Sequence, residues 1–145
     1  MNDSYFAYGS NLYQPQMEER CPGVEPIGPA TAPHHCLLFT GASRNWRGAG
    51  VAELRPHPEA PCPVPGFLYR LTAEHLEDLD RFEGSYHREL IQVLKPHGET
   101  TAWTYLRNDP AEIAAPLPEY VARMAHAYGR NGHDISVLID ALKDV

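Results

Sequence analysis

An α+β fold is what this sequence predicts, on three observations. Six short stretches rich in β-branched or aromatic residues lie between turn residues, at Tyr5–Tyr8, His35–Thr40, Gly50–Leu54, Val64–Leu71, Arg88–Leu94 and Thr100–Leu106. Helical patterns follow Asn11 and Thr72 and begin again at Tyr120. Fourteen prolines and eleven glycines cut the 145 residues into short pieces with no repeat among them, so a compact, irregular domain is expected rather than a solenoid. A single domain over residues 1–145 is expected, burying about 68–70% of its unfolded surface.

Tyr5-Phe6-Ala7-Tyr8 suits a half-buried strand, and Gly9 permits a sharp turn or a close backbone approach immediately after it. Asn11 has Gln14 three positions on, the spacing of a capping box, which predicts a short helix through Met17 to Arg20, stopped by Cys21-Pro22-Gly23. A helix start attracts anions, so the Tyr8–Leu12 turn is a candidate for pointing backbone donors at a ligand. As a bare tripeptide, Gly9-Ser10-Asn11 reads equally as an ordinary turn.

The segment from Gly41 to Gly48 holds Trp46 between Arg44 and Arg47, a composition that suits a mobile loop over a pocket and also a plain surface connection. Pro56-His57-Pro58 and Pro61-Cys62-Pro63-Val64-Pro65 argue for an extended surface turn after the next strand.

Thr72 is a good N-cap for a helix through Phe82, and Gly84 a good place for it to end. At helical period Leu76, Leu79 and Glu83 share one stripe, while Glu77, Asp78 and Arg81 face the other way. An apolar stripe that ends in a carboxylate has two readings. If the helix frays at Phe82, Glu83 is a solvated end residue. If Glu83 is buried in the last turn, burial and the negative end of the helix dipole both raise its pKa above about 4.3, which makes it a usable general base and acid. Asp80 is close enough to form a carboxylate pair but sits toward the edge of the stripe, so Glu83 acting alone is preferred. The last helix begins at Tyr120 and carries Met124 and Tyr128 on its stripe, with Gly129 as its expected end. Tyr120 reads there as a core aromatic or a pocket residue, and Tyr105 on its strand has the same two readings.

Twelve Lys and Arg against nineteen Asp and Glu give a net charge of -7, which offers no field for phosphate backbones or anionic membranes. Met1-Asn2-Asp3-Ser4 is polar and no apolar run approaches the roughly 18 residues of a spanning helix, so a cytoplasmic location is expected. Cys21, Cys36 and Cys62 lack metal-type spacing and read as structural thiols, and the eight histidines are scattered, so no metal is expected. Exposed aromatics leave a homodimer open.

The run Tyr5-Phe6-Ala7-Tyr8-Gly9-Ser10-Asn11-Leu12 resembles the opening motif of gamma-glutamylcyclotransferases of the Tyr-Gly-Ser-Asn type. Gly50-Val51-Ala52-Glu53-Leu54, Pro65-Gly66-Phe67-Leu68-Tyr69 and Leu79-Asp80-Arg81-Phe82-Glu83-Gly84 are similar to later family segments. Tyr86-His87-Arg88, Ala102-Trp103-Thr104-Tyr105 and Pro118-Glu119-Tyr120 follow in family order. The short spacing in Phe82-Glu83-Gly84-Ser85-Tyr86 is closer to small bacterial-type members than to longer relatives, and the Trp46 loop and short C-terminus leave the leaving-group pocket unidentified.

The resemblance implies a small mixed β-barrel flanked by short helices, and an enzyme that releases 5-oxoproline from gamma-glutamyl compounds without cofactor or metal. It implies Glu83 as the catalytic residue and Tyr120 as a substrate-binding tyrosine. In the implied reaction the α-amine of the substrate attacks its own γ-carbonyl, closes a five-membered lactam and expels an amine. Tyr8, Gly9, Ser10, Asn11 and Leu12 would then hold the glutamyl carboxylate or carbonyl oxygen, and Tyr105 would line the pocket. Two alternatives stay open: a domain that binds a small amino compound without turnover, and a cyclotransferase dedicated to one gamma-glutamylated amine.

Overall fold

The computed structural model describes residues 3–145. In chain order its elements are β1 (Ser4–Ala7), α1 (Gln14–Arg20), β2 (Glu25–Ala32), β3 (His35–Ser43), β4 (Ala49–Pro56), β5 (Val64–Arg70), α2 (Ala73–Phe82), β6 (Tyr86–Lys95), β7 (Gly98–Arg107), α3 (Pro118–Asn131) and α4 (Ser136–Leu142). The barrel runs β1, β5, β2, β6, β7 and closes back on β1. Its neighbours are antiparallel except at the closure, where β1 lies parallel to β7 with Tyr5 opposite Trp103. This is the mixed barrel with short flanking helices that the resemblance implied. β3 and β4 pair only with each other and stand outside it as a two-stranded sheet.

β5 is central, buried from Val64 to Tyr69, and reads as a nearly continuous apolar run because both of its faces are covered. β2 has no counterpart among the expected strands. Pro26, Gly28 and Pro29 argue against it, yet it pairs with β5 from Glu25 to Ala32 with an irregularity between Pro26 and Gly28. Its other edge meets β6 only at Thr31 opposite Leu94, so the prolines fall where a missing N–H breaks no ladder on that side.

Phe6, Leu68, Val93 and Ala102 belong to the core, which Leu79 of α2, Met124 and Tyr128 of α3 and Leu138 of α4 complete. α2 is capped as expected by Thr72, with His75 supplying the reciprocal side chain, and it ends at Phe82. α3 runs past Gly129 and stops at Gly132, which adopts the left-handed conformation that ends helices. α4 was not expected. Asn11 does not cap α1: Tyr13 holds that position, no side chain caps it, and Pro15 fills the first turn where an N–H is not needed.

Residues 41–48 are not one loop. β3 continues through Ser43, a 3-10 turn follows at Arg44–Trp46, and the side chain of Trp46 is buried. Of the cysteines, Cys21 is buried, Cys36 half-buried and Cys62 exposed, so the structural-thiol reading fits Cys21 and not Cys62. Among the described residues no helix is long and apolar enough to cross a membrane.

Candidate active site

The chain leaves the barrel at Tyr8 and winds into a 3-10 turn, Ser10–Leu12, in which the Leu12 N–H bonds to Gly9 O and the Tyr13 N–H to Ser10 O, each at 3.0 Å. Glycine is required at position 9 by close approach: a Cβ there would lie 2.6 Å from Tyr120 Oη and 3.1 Å from Ala52 Cβ. That phenol accepts from the Ala52 N–H at 3.0 Å and from the Ser10 N–H. Burial pushes its pKa up to about 12, so it stays neutral.

Asn11 ties the turn to its surroundings instead of capping a helix. Its Nδ2 donates to Tyr5 Oη at 3.0 Å, and its Oδ1 accepts from Gln16 Nε2 at 2.9 Å and from Arg20 at 3.0 Å. Its carbonyl accepts from Tyr69 Oη at 3.0 Å, and Gln16 Nε2 also reaches the Ser10 hydroxyl at 2.8 Å. A turn held at this many points is preorganised before any ligand arrives.

Glu83 is the residue immediately beyond α2, with φ -113° and ψ 45°. The helix therefore ends at Phe82, as one sequence reading had it, but Glu83 is not solvated. It lines a cavity of about 440 Å³ together with Tyr5, Tyr8, Gly9, Ser10, Asn11, Tyr86, Tyr105 and Tyr120. Among the described residues no hydrogen bond or ion pair engages its carboxyl. Burial raises its pKa to about 7, the Asp80 charge adds to the rise, and the Arg20 guanidinium opposes it. Partial exposure and a large desolvation effect are compatible here because the exposed part of Glu83 faces the cavity.

The five phenols nearest this acid all feel its charge. Tyr8 donates to Tyr105 O at 2.7 Å, Tyr86 to Ala52 O at 2.9 Å and Tyr105 to Asp80 at 2.6 Å. Tyr5 and Tyr120 accept, so their own protons remain to be donated. Asp80 is thus the acceptor for Tyr105 and the partner of Arg88 at 2.9 Å, with no direct place at the cavity wall.

The structure brings Tyr8, Gly9, Ser10, Asn11, Glu83, Tyr105 and Tyr120 to one cavity, and leaves Leu12 out of it. Leu12 is buried and its N–H closes the turn on Gly9, so it has no donor to offer a ligand. Sequence reasoning missed Tyr5, Arg20 and Arg107 as cavity residues, and had Trp46 only within a segment suited to a loop over a pocket. Tyr5 had a signal in the same opening run. Trp46 packs edge-on against Tyr120 with centroids 4.8 Å apart, and Asn45 Nδ2 bonds to Phe82 O at 3.1 Å, so the 41–48 segment is fastened to both α3 and the end of α2. Among the described residues no group of His, Cys, Asp or Glu is placed to hold a metal ion.

A closed five-stranded mixed barrel with four short helices matches the gamma-glutamylcyclotransferase fold. The model of the family described as "Gamma-glutamyl cyclotransferase, AIG2-like" matches residues 5–122, and the chain belongs to that family. A solved gamma-glutamyl cyclotransferase is 26% identical, with a TM-score of 0.84 over 98% of this chain and 86% of its own. An uncharacterized protein from Homo sapiens is 27% identical, with a TM-score of 0.83 over 99% of this chain and 89% of its own. A yeast cyclotransferase specific to glutathione shares the fold at 16% identity, with a TM-score of 0.70 over 99% of this chain and 96% of its own. Comparison with curated protein sequences gives no match.

Proposed function

We propose that the protein is a gamma-glutamylcyclotransferase that releases 5-oxoproline from a small gamma-glutamyl compound, with Glu83 as general base and then general acid. The observation that carries the reading is an acid without a partner, held at about 7 by burial, in the same cavity as the Tyr8–Asn11 turn.

The reaction needs the α-ammonium of the substrate deprotonated, the leaving nitrogen protonated and the γ-carbonyl oxygen stabilised as it gains charge. A carboxyl of pKa near 7 is about half ionised at neutral pH, so it can take a proton from the substrate's α-ammonium and return it to the departing amine. The nitrogen lone pair forms the new C–N bond as the old amide C–N bond breaks, and water is not consumed. Gly9 and Asn11 N–H groups, which the turn's own bonds do not use, are the donors assigned to the glutamyl oxygens. Tyr120 and Tyr5 supply hydroxyl protons at the same wall. Fixing both ends of the glutamyl chain removes the entropy of finding the cyclising conformer, which is the main service a rigid turn can render.

The test is mass-spectrometric detection of 5-oxoproline across gamma-glutamyl amino acids, gamma-glutamyl amines and glutathione. Glu83→Gln is expected to fold normally and lose about 10²–10⁴-fold in turnover. Equal 5-oxoproline release by that variant rejects the mechanism, and substrate binding without product by the unaltered protein identifies a binding domain.

A further inference from the structure

The cavity wall carries Arg20, Arg44, Arg81 and Arg107 against one carboxyl, Glu83. A chain of net charge -7 therefore presents a basic pocket. Arg81 is paired with Asp78 at 3.3 Å, whereas Arg20, Arg44 and Arg107 join no ion pair among the described residues.

Arg20 is held by Asn11, whereas Arg107, the last residue of β7, packs against Tyr86 and Gly41. Its Cζ stands 5.3 Å from the centre of the Tyr86 ring. Its guanidinium packs over Gly41, where a Cβ would come within 2.6–2.9 Å of its nitrogen and carbon atoms and where φ is +76°. Glycine at position 41 is thus demanded by conformation and by the arginine above it. The Nε of Arg107 is buried with no hydrogen-bond partner, a condition that is unfavourable unless something else fills it. The two cations act on different groups of the pocket. Arg20 is the one that acts on Glu83, and Arg107 acts on Tyr86. Arg107 stands on the wall built from β3 and β7, hydrogen-bonded to Tyr86, with Arg44 three residues along the chain from Gly41.

We propose that Arg107 is a specificity-determining residue that receives a carboxylate carried by the departing amine. The preferred substrates are then gamma-glutamyl α-amino acids, and gamma-glutamyl amines are disfavoured. Arg107 lines the cavity, and a planar guanidinium suits two-pronged recognition of a carboxylate. An amine lacking that group would leave the half-buried arginine without a counter-charge, and a site built for a polar group rejects the analogue that lacks it.

The inference rests on the cyclotransferase reading for the seat of the glutamyl end, and the two are separated by different signals. Gamma-glutamyl-alanine and gamma-glutamyl-ethylamide differ only in the leaving-group carboxylate. Their dissociation constants are measured by calorimetry on Glu83→Gln protein, where substrate persists, with Arg107 intact or changed. With Arg107 present the alanine compound is expected to bind about 10–100-fold more tightly, the range for a charge-assisted hydrogen-bonded pair. Arg107→Gln should bring the ratio to within about 3-fold of unity, and Arg107→Lys should leave an intermediate ratio, because charge without the planar fork is only part of the site. A ratio near unity with Arg107 present, or an undiminished ratio in Arg107→Gln, overturns the proposal. If circular dichroism shows Arg107→Gln unfolded, the ratio in Arg107→Lys decides, and no fall there also overturns it. Absence of 5-oxoproline from the unaltered protein with both compounds would refute the reaction and leave the binding ratio to judge Arg107.

Discussion

Replacing Glu83 with glutamine is expected to make the protein more stable above pH 7. An acid whose folded-state pKa is raised works against folding once it ionises. Below its ordinary value of 4.5 it is protonated in both states and contributes nothing. As pH rises from there toward about 7, the unfolded chain releases the proton and the folded one retains it, so stability falls, and above about 7 the full penalty is present. At about 1.36 kcal/mol per pH unit the interval corresponds to about 3 kcal/mol, or about 2–3 kcal/mol after allowance for the part of Glu83 that meets cavity water. Glutamine has no charge to desolvate. Urea unfolding of both proteins at pH 5 and pH 8 should therefore show an advantage of less than about 1 kcal/mol for Glu83→Gln at the lower pH and of about 2–3 kcal/mol at the higher, the latter equivalent to about 5–10 °C in melting temperature. An advantage that is absent at pH 8, or is the same at both pH values, would refute the claim that burial sets the state of this acid. The same substitution abolishes the proposed proton transfer, so stability and turnover should move in opposite directions.

On the proposed mechanism kcat/KM rises with pH through about 7 as Glu83 ionises, and pH-rate profiles for 5-oxoproline formation check this. Arg20→Gln should move that limb to higher pH and Asp80→Asn to lower pH, because the first charge opposes and the second supports the raised pKa of Glu83. Gly9→Ala forces a methyl group to within 2.6 Å of Tyr120 Oη and should lower stability by about 1–3 kcal/mol in denaturant titration, with loss of activity. Tyr120→Phe leaves the buried Ala52 N–H without its acceptor, which is expected to cost about 1–3 kcal/mol by the same measurement.

Much of the barrel was legible because its strands are ordinary ones. β1, β5, β6 and β7 carry aromatic or β-branched residues between turns, and the expected spans lie on them to within a few residues. β2 was hidden because Pro26, Gly28 and Pro29 are local arguments against a strand, and only the one-sided pairing in three dimensions makes them harmless. α4 is seven residues long, too short for a periodic signal to stand out. Glu83 was legible as a misfit on an apolar stripe, and burial, the first cause expected, raises its pKa, with Arg20 opposing and Asp80 adding to the rise. Asn11 was placed at the right turn with the wrong partners, since its contacts with Tyr5, Gln16 and Arg20 depend on how α1 folds back. Arg107 had no signal at all: it is the last residue of an unremarkable strand until Gly41, distant in sequence, arrives beneath it.

The β3–β4 pair has a consequence for how such a pocket diversifies. Its strands share no ladder with the barrel, yet residues 42–46 and 51–52 form part of the cavity wall. Lengthening or recolouring that hairpin's tip alters what the pocket admits while the glutamate, its phenols and the glycine turn keep their framework. Part of the cavity wall can thereby vary while the barrel residues, Arg107 among them, stay fixed.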